Sequence, residues 1–155
     1  MSGKIENLLI SSNPNSNMQE VTQIVLEEGK GIYGDRYHLQ EGTFSNKGEI
    51  EPDREVTLIE IEKIDAFNSE HSQNITALDL RRNIVVSNCN LNDLVGKEFQ
   101  IGNVKLKGIR LCEPCKYLAD KLENPKVLSE LVNKGGLRAQ IIEGGSIDRT
   151  SQIEI

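Results

Sequence analysis

At 155 residues with a formal net charge of −6, the chain has the length of one domain and too little positive charge for non-specific binding to nucleic acid or an anionic membrane. Apolar residues make up 37% and aromatic residues 4%, with no Trp, so a core must rest on Ile, Leu and Val, which favour strands. No run nears the roughly twenty apolar residues of a membrane span, and Met1–Asn7 lacks the basic and apolar regions of a signal peptide.

In chain order, Lys4–Ser11 alternates as an opening strand, and Ser12–Asn17 is turn-rich. Val21–Leu26 reads as a second strand, and Gly29–Gly48 as a long Gly-rich functional loop. Arg54–Ile59 is a short strand leading into a helix over Glu60–Glu70, where Ile61, Ile64 and Phe67 fall at helical spacing. Leu80–Ser87 is a strand with Arg81, Arg82 and Asn83 at its start, so alternation sends Arg81 and Asn83 to one face and Arg82 to the other. Asn92–Val95 is a turn or short helical segment. Lys97–Ile101 and Val104–Leu111 form a hairpin across Gly102-Asn103. Helices are expected over Pro114–Leu122 and Lys126–Asn133, the second stopped by Gly135 and Gly136. Leu137–Glu143 and Gln152–Ile155 close the chain as strands separated by Gly144-Gly145. Short strands with few helices predict a β-rich α+β domain on a closed or nearly closed barrel, a single domain over residues 1–155.

Three short runs carry chemistry. In Leu111-Cys112-Glu113-Pro114-Cys115-Lys116, the proline sets φ for the first turn of a helix. Cys115 then meets free backbone N–H groups and the positive dipole end, and Lys116 adds charge, which together favour a thiolate. A small buried hydrophobe is the plainer role of a free cysteine. Gly31-Ile32-Tyr33-Gly34-Asp35-Arg36-Tyr37-His38 pairs conformationally free glycines with an acceptor, a guanidinium and an imidazole, or is simply a turn capped by Asp35. Arg81-Arg82-Asn83 directs one guanidinium inward, suited to phosphate or carboxylate, or else lies on a solvated edge. Arg138, just after Gly135-Gly136, is by itself the neighbour of a helix cap.

Cys112-x-x-Cys115 is half of a zinc site with no second cysteine pair, and neither His38 nor His71 stands at recognisable spacing. It also reads as a dithiol, although a thioredoxin-like motif follows the first strand of a βαβ unit rather than falling late in a β-rich chain. Cys89 has no electropositive sequence neighbour and reads as structural or incidental. Three cysteines at sparse spacing fit a reduced, cytoplasmic setting. Phosphate loops, a G-x-S-x-G elbow and H-E-x-x-H are absent from the sequence.

Taken in order, Gly31–His38, Arg54–Ile59, Arg81–Val85, Leu94–Lys97 with Gly102, Glu113-Pro114-Cys115 and Gly136–Arg138 resemble the MOSC domain family, named for the C-terminal domain of molybdenum cofactor sulfurases. The resemblance implies a β-barrel-containing α+β fold in a stand-alone protein. It implies binding of molybdenum cofactor, a pterin dithiolene carrying a phosphate, or handling of its sulfur. Cys115 would be the metal ligand or a persulfide carrier. Arg82 and Asn83 would contact the anion, Gly34, Asp35 and His38 would line the same cleft, and Arg138 would join the cofactor site. Relatives include molybdenum-dependent reductases of N-hydroxylated compounds, which makes an oxidoreductase with an external electron-donor protein the leading expectation. Persulfide carriage from a sulfur-donor protein and a non-enzymatic Cys112/Cys115 redox or partner-binding switch are the alternatives. The fused pyridoxal-phosphate desulfurase of the cofactor sulfurases has no counterpart in this sequence, so no pyridoxal phosphate is expected. Relatives also carry Gly-x-Ile then Gly-Asp near the C-terminus, where this chain has Gly145-Ser146-Ile147 followed by Asp148-Arg149.

Overall fold

The opening alternation folds as β1 (Gly3–Ile10), with Ile5 and Leu8 turned into the core of the computed structural model, which describes residues 3–13, 16–39, 52–112 and 135–155. One edge of β1 pairs with β6 (Ile84–Ser87). Its other edge is shared: β2 (Gln19–Val21) takes Leu8–Ile10, and β11 (Gln152–Glu154) takes Gly3 and Lys4. From β6 the sheet continues through β5 (Val56–Glu60), β9 (Leu137–Glu143), β8 (Val104–Leu111) and β7 (Glu98–Ile101). β11 then joins β7 back to β1, closing a seven-strand barrel with β2 appended. The expected barrel is therefore closed.

β5 and β6 are parallel, so a crossover must connect them. It consists of α1 (Ile61–His71) and α2 (Ala77–Leu80). Ile64 and Phe67 of α1 pack with Leu9, Ile59 and Val85 in an apolar layer outside the barrel, while Leu58, Ile84, Leu106 and Leu137 fill its inside. Asn68 locks the crossover by bonding both the Ile75 N–H (2.9 Å) and the Ile75 carbonyl (2.7 Å). A second sheet of β10 (Gly145–Asp148), β3 (Gln23–Glu27) and β4 (Gly31–Ile32) stands beside the barrel.

Three expectations are corrected. Val21–Leu26 is not one strand: the chain breaks at Thr22, β2 extending the barrel sheet and β3 joining the second sheet. The strand expected from Leu80 begins only at Ile84, because a Thr76–Asp79 capping box winds Ala77–Leu80 into a helical turn that ends on Arg81 in the left-handed region (φ 59°). β10 was not expected, since Gly144-Gly145 reads as a separator; its recruitment comes from long-range pairing with β3, Gly145 through Asp148 opposite Leu26 through Gln23. The helices expected over 114–122 and 126–133, and the loop beyond Leu39, lie outside the described residues.

Gly108 of β8 is a tightly packed point of the barrel wall. Its carbonyl accepts the Gly96 N–H (2.8 Å), its own N–H donates to Lys97 (3.0 Å), and a Cβ there would stand 2.1 Å from the Leu94 carbonyl oxygen. Gly108→Ala is expected to lower stability by about 2–4 kcal/mol, the cost of forcing an extra carbon into a packed backbone crossing, read as a fall in the urea midpoint at unchanged m-value.

Candidate functional site

Arg82 and Asn83 sit where α2 ends and β6 begins, and both are buried. Arg82 donates from Nε to the Gly135 carbonyl (2.9 Å) and from Nη1 to the Leu80 carbonyl (2.8 Å). Its Nη2 has no hydrogen-bond partner among the described residues, and the guanidinium forms no ion pair with them. Gly135 is held against the last residue of β8's continuation: a Cβ on Gly135 would meet the Cys112 carbonyl oxygen at 2.0 Å, and Cys112 N–H donates to the Gly136 carbonyl (2.7 Å). Gly136 needs its glycine twice over, with φ 102° and the Leu58 carbonyl oxygen 2.0 Å from the Cβ position. The buried guanidinium therefore lies beside the strand end from which the Cys112-x-x-Cys115 motif departs. Cys112 itself is a core residue, 1% exposed. Cys115 lies outside the described residues.

Asn83 does something different from what its neighbour does. Its Oδ1 accepts the Thr57 N–H and the Thr57 hydroxyl (both 3.1 Å), and its Nδ2 donates to the Leu9 carbonyl (3.2 Å). Its main chain bonds Thr57 and Leu9 as well. The side chain thus ties β1, β5 and β6 together. The alternation expected for Arg81–Asn83 does not exist, because Arg81 is the left-handed helix cap; its side chain instead donates to the Ser16 (2.6 Å) and Asn13 (3.1 Å) carbonyls.

The Gly31–His38 run curls over Ser11 and Arg81. Gly34 takes φ 84°, and the next residue, Asp35, is fully buried. Asp35 Oδ1 accepts the Ser11 N–H (3.0 Å) and pairs with Arg36 Nη1 (3.3 Å), while Oδ2 has no hydrogen-bond partner. Arg36 Nη2 reaches the Arg81 carbonyl (3.3 Å), and its Cζ lies 4.9 Å from the centre of the Tyr37 ring. The loop is therefore brought against the Arg81–Asn83 segment. His38 is not drawn to Asp35: its Nε2 contacts Glu27 Oε2 at 2.8 Å, its ring lies 5.1 Å from that of Tyr33, and its buried Nδ1 has no partner. The hydrogen bond from His38 holds the Glu27 carboxyl below its ordinary range. Arg138 lies on β9 in register with Thr57 of β5 and Arg110 of β8, between the core residues Leu137 and Ala139.

Two contributors were not legible beforehand. Glu27, the partner of His38, stands eleven residues away and meets it only because β3 and β4 pair. Glu55, 2% exposed, lies under the loop: its carboxylate accepts the Ile141 N–H (3.0 Å), and a Cβ on Gly31 would come within 2.9 Å of its carbonyl oxygen. Burial pushes the Glu55 carboxyl up to about 7, against the lowering effect of the Ile141 and Gly29 main chains.

A model of the MOSC domain matches residues 32–154 of this chain. The crystal structure of YuaD from Bacillus subtilis is similar over 99% of this chain and 95% of its own, with TM-score 0.82 and 21% identity. YiiM from Geobacillus stearothermophilus (TM-score 0.74, 13% identity, 98% of this chain and 74% of its own) shares the fold. So does YiiM from Escherichia coli (0.74, 16%, 99% and 69%). At these identities the structural likeness concerns the fold alone. Comparison with curated proteins gives no match.

Two outcomes test these assignments. Asn83→Ala should cost about 2–4 kcal/mol in urea unfolding, because it strands buried donors and acceptors on three strands. For Glu55, a folded pKa raised above the unfolded 4.5 to about 7 means the fold favours the protonated form. Its contribution is fully present below pH 4.5, is lost as pH climbs to about 7, and is constant above that. Glu55→Gln should flatten that part of the stability–pH profile, and an unchanged slope would refute the assignment.

Proposed function

This chain belongs to the MOSC domain family, and on that premise we propose that it binds molybdenum cofactor, with Arg82 receiving the cofactor's phosphate and Cys115 giving the metal its protein ligand. The observation that supports this best is the state of Arg82. It is 8% exposed, clamped through two nitrogens by neutral carbonyls, and its third nitrogen has no hydrogen-bond partner among the described residues. A buried guanidinium whose hydrogen bonds to the described residues include no carboxylate retains a strong attraction for an anion, and its planar fork suits phosphate. The residues thus fit the anionic end of the cofactor. A thiolate on the segment that follows Cys112 suits a soft metal–sulfur centre.

The remaining residues act on this chain's own geometry. Asp35 fixes Arg36, Arg36 holds the Arg81 carbonyl, and Arg81 is anchored on Asn13 and Ser16, so the backbone entering Arg82 is pinned before any ligand arrives. Asn83 fixes the backbone leaving it. Gly34 permits the turn that delivers Asp35. His38 and Arg138 are assigned to the cleft wall. When bound, the cofactor supplies two-electron chemistry at molybdenum. The reaction we assign is reduction of an N-hydroxylated compound: the N–O bond breaks with uptake of two electrons from an external donor protein and two protons, leaving an N–H group and water.

Elemental analysis tests the reading. Protein purified without oxygen from a cofactor-producing host should contain molybdenum, and Cys115→Ala should lose it. Arg82→Lys, which keeps the charge but not the fork, should retain less than wild type. Molybdenum absent from folded wild type, with a sulfur adduct on Cys115 after incubation with a cysteine desulfurase and cysteine, would replace this reading with persulfide carriage.

A further inference from the structure

Glu55 clasps the second sheet to the barrel, and the cofactor assignments leave it unused. The pairing of β5 with β9 starts at Val56 opposite Ala139, so the Ile141 N–H, two residues beyond, meets no paired residue of β5. The Glu55 carboxylate accepts that N–H instead (3.0 Å). It also accepts from the Gly29 main chain, in the turn between β3 and β4. The Glu55 carbonyl oxygen lies against Gly31, where β4 begins at φ 120°. Side chain and main chain of one residue, 2% exposed, therefore grip the turn from which the Gly31–His38 run departs.

The charged groups on the surrounding elements have other partners. Glu27 holds His38 (2.8 Å) and Lys30 (3.4 Å), Glu28 accepts the Gly144 N–H (3.1 Å), and Lys105 of β8 pairs with Glu143 of β9 (3.8 Å). Among the described residues, neither these charges nor the adjacent Arg54 acts on the Glu55 carboxyl; burial and the two main-chain donors do. Burial prevails and pushes the group up to about 7, whereas in an opened, hydrated turn it would return to its ordinary 4.5. Between those values the closed turn keeps a proton that the open turn releases, so rising pH favours opening. We propose that Glu55 is a proton-operated latch: protonated, it holds the β3–β4 turn against β9, and ionised, it lets that turn open locally while the barrel stays folded. The tether at the base of the Gly31–His38 run then loosens as pH rises towards neutrality.

Native-state amide exchange of Gly29 and Ile141, followed in the full-length chain at low denaturant, tests the latch. Both amides should exchange through a denaturant-insensitive opening. After correction for intrinsic exchange, its equilibrium constant should rise up to about tenfold per pH unit from 4.5 to about 7, then level off. Glu55→Gln, uncharged at every pH and still an acceptor, should abolish the rise. The Gly96 amide, bonded to the Gly108 carbonyl in the barrel wall (2.8 Å), should not share this opening. The Glu55 carboxyl carbon should titrate over the range in which the opening changes, a wild-type readout that serves if the variant does not fold. An opening constant flat from pH 4.5 to 7, or the same slope in Glu55→Gln, would overturn the proposal. So would exchange of Gly29 and Ile141 through global unfolding alone.

Discussion

The junction of β1, β5 and β6 depends on the amide of Asn83. Parallel strands such as β5 and β6 gain less per residue than antiparallel ones and need a helical crossover to exist at all. Here the pair is reinforced at its first residue, where Asn83 reads both the N–H and the hydroxyl of Thr57 and reaches across to Leu9 on the third strand. The same amide fixes the exit of the segment that turns the Arg82 guanidinium inward. Structure and candidate site are thus joined by adjacent residues, Arg82 supplying a buried guanidinium and Asn83 facing the scaffold.

The charges of this acidic chain are sorted by depth. Arg82 and Arg36 are buried, Arg36 against a carboxylate and Arg82, among the described residues, against carbonyls. The surface carries much of the excess acid, in residues such as Glu28, Asp65 and Glu98. Long-range repulsion between an anionic ligand and that surface is screened within about 10 Å in ordinary salt, whereas a guanidinium in a dry wall is screened far less. Local donor geometry therefore outweighs net charge.

How much of this could be read from the sequence varied with the range of the deciding contact. β9 was legible to the residue, because Leu137, Ala139 and Ile141 alternate inward without interruption. α1 was legible to within a residue at each end, from Ile61, Ile64 and Phe67. The start of β6 was not, since a four-residue capping box overrode a run of strand-forming residues. β10 was not, since its pairing partner β3 lies more than a hundred residues earlier. Within the site, the sequence indicated that one of two arginines would turn inward; only the carbonyls of Leu80 and Gly135 show how Arg82 is held, with its outer nitrogen unbonded among the described residues. His38 was visible and its partner Glu27 was not, for the same reason of distance along the chain.

Closure of the barrel rests on a short piece of chain. Gln152 and Ile153 are paired to Lys4 and Gly3 on one side, and Ile153 and Glu154 to Ile101 and Gln100 on the other. A Cβ on Gly3 would lie 2.9 Å from that of Cys89 and 3.3 Å from that of Ile153, so this seam is packed as tightly as the interior. Were β11 to detach, β1 and β7 would each present a bare row of amides and carbonyls, the kind of surface that recruits strands from other molecules. Those three residues therefore act as a guard against self-association, and fraying of β11 would be felt first as loss of solubility rather than loss of the candidate site.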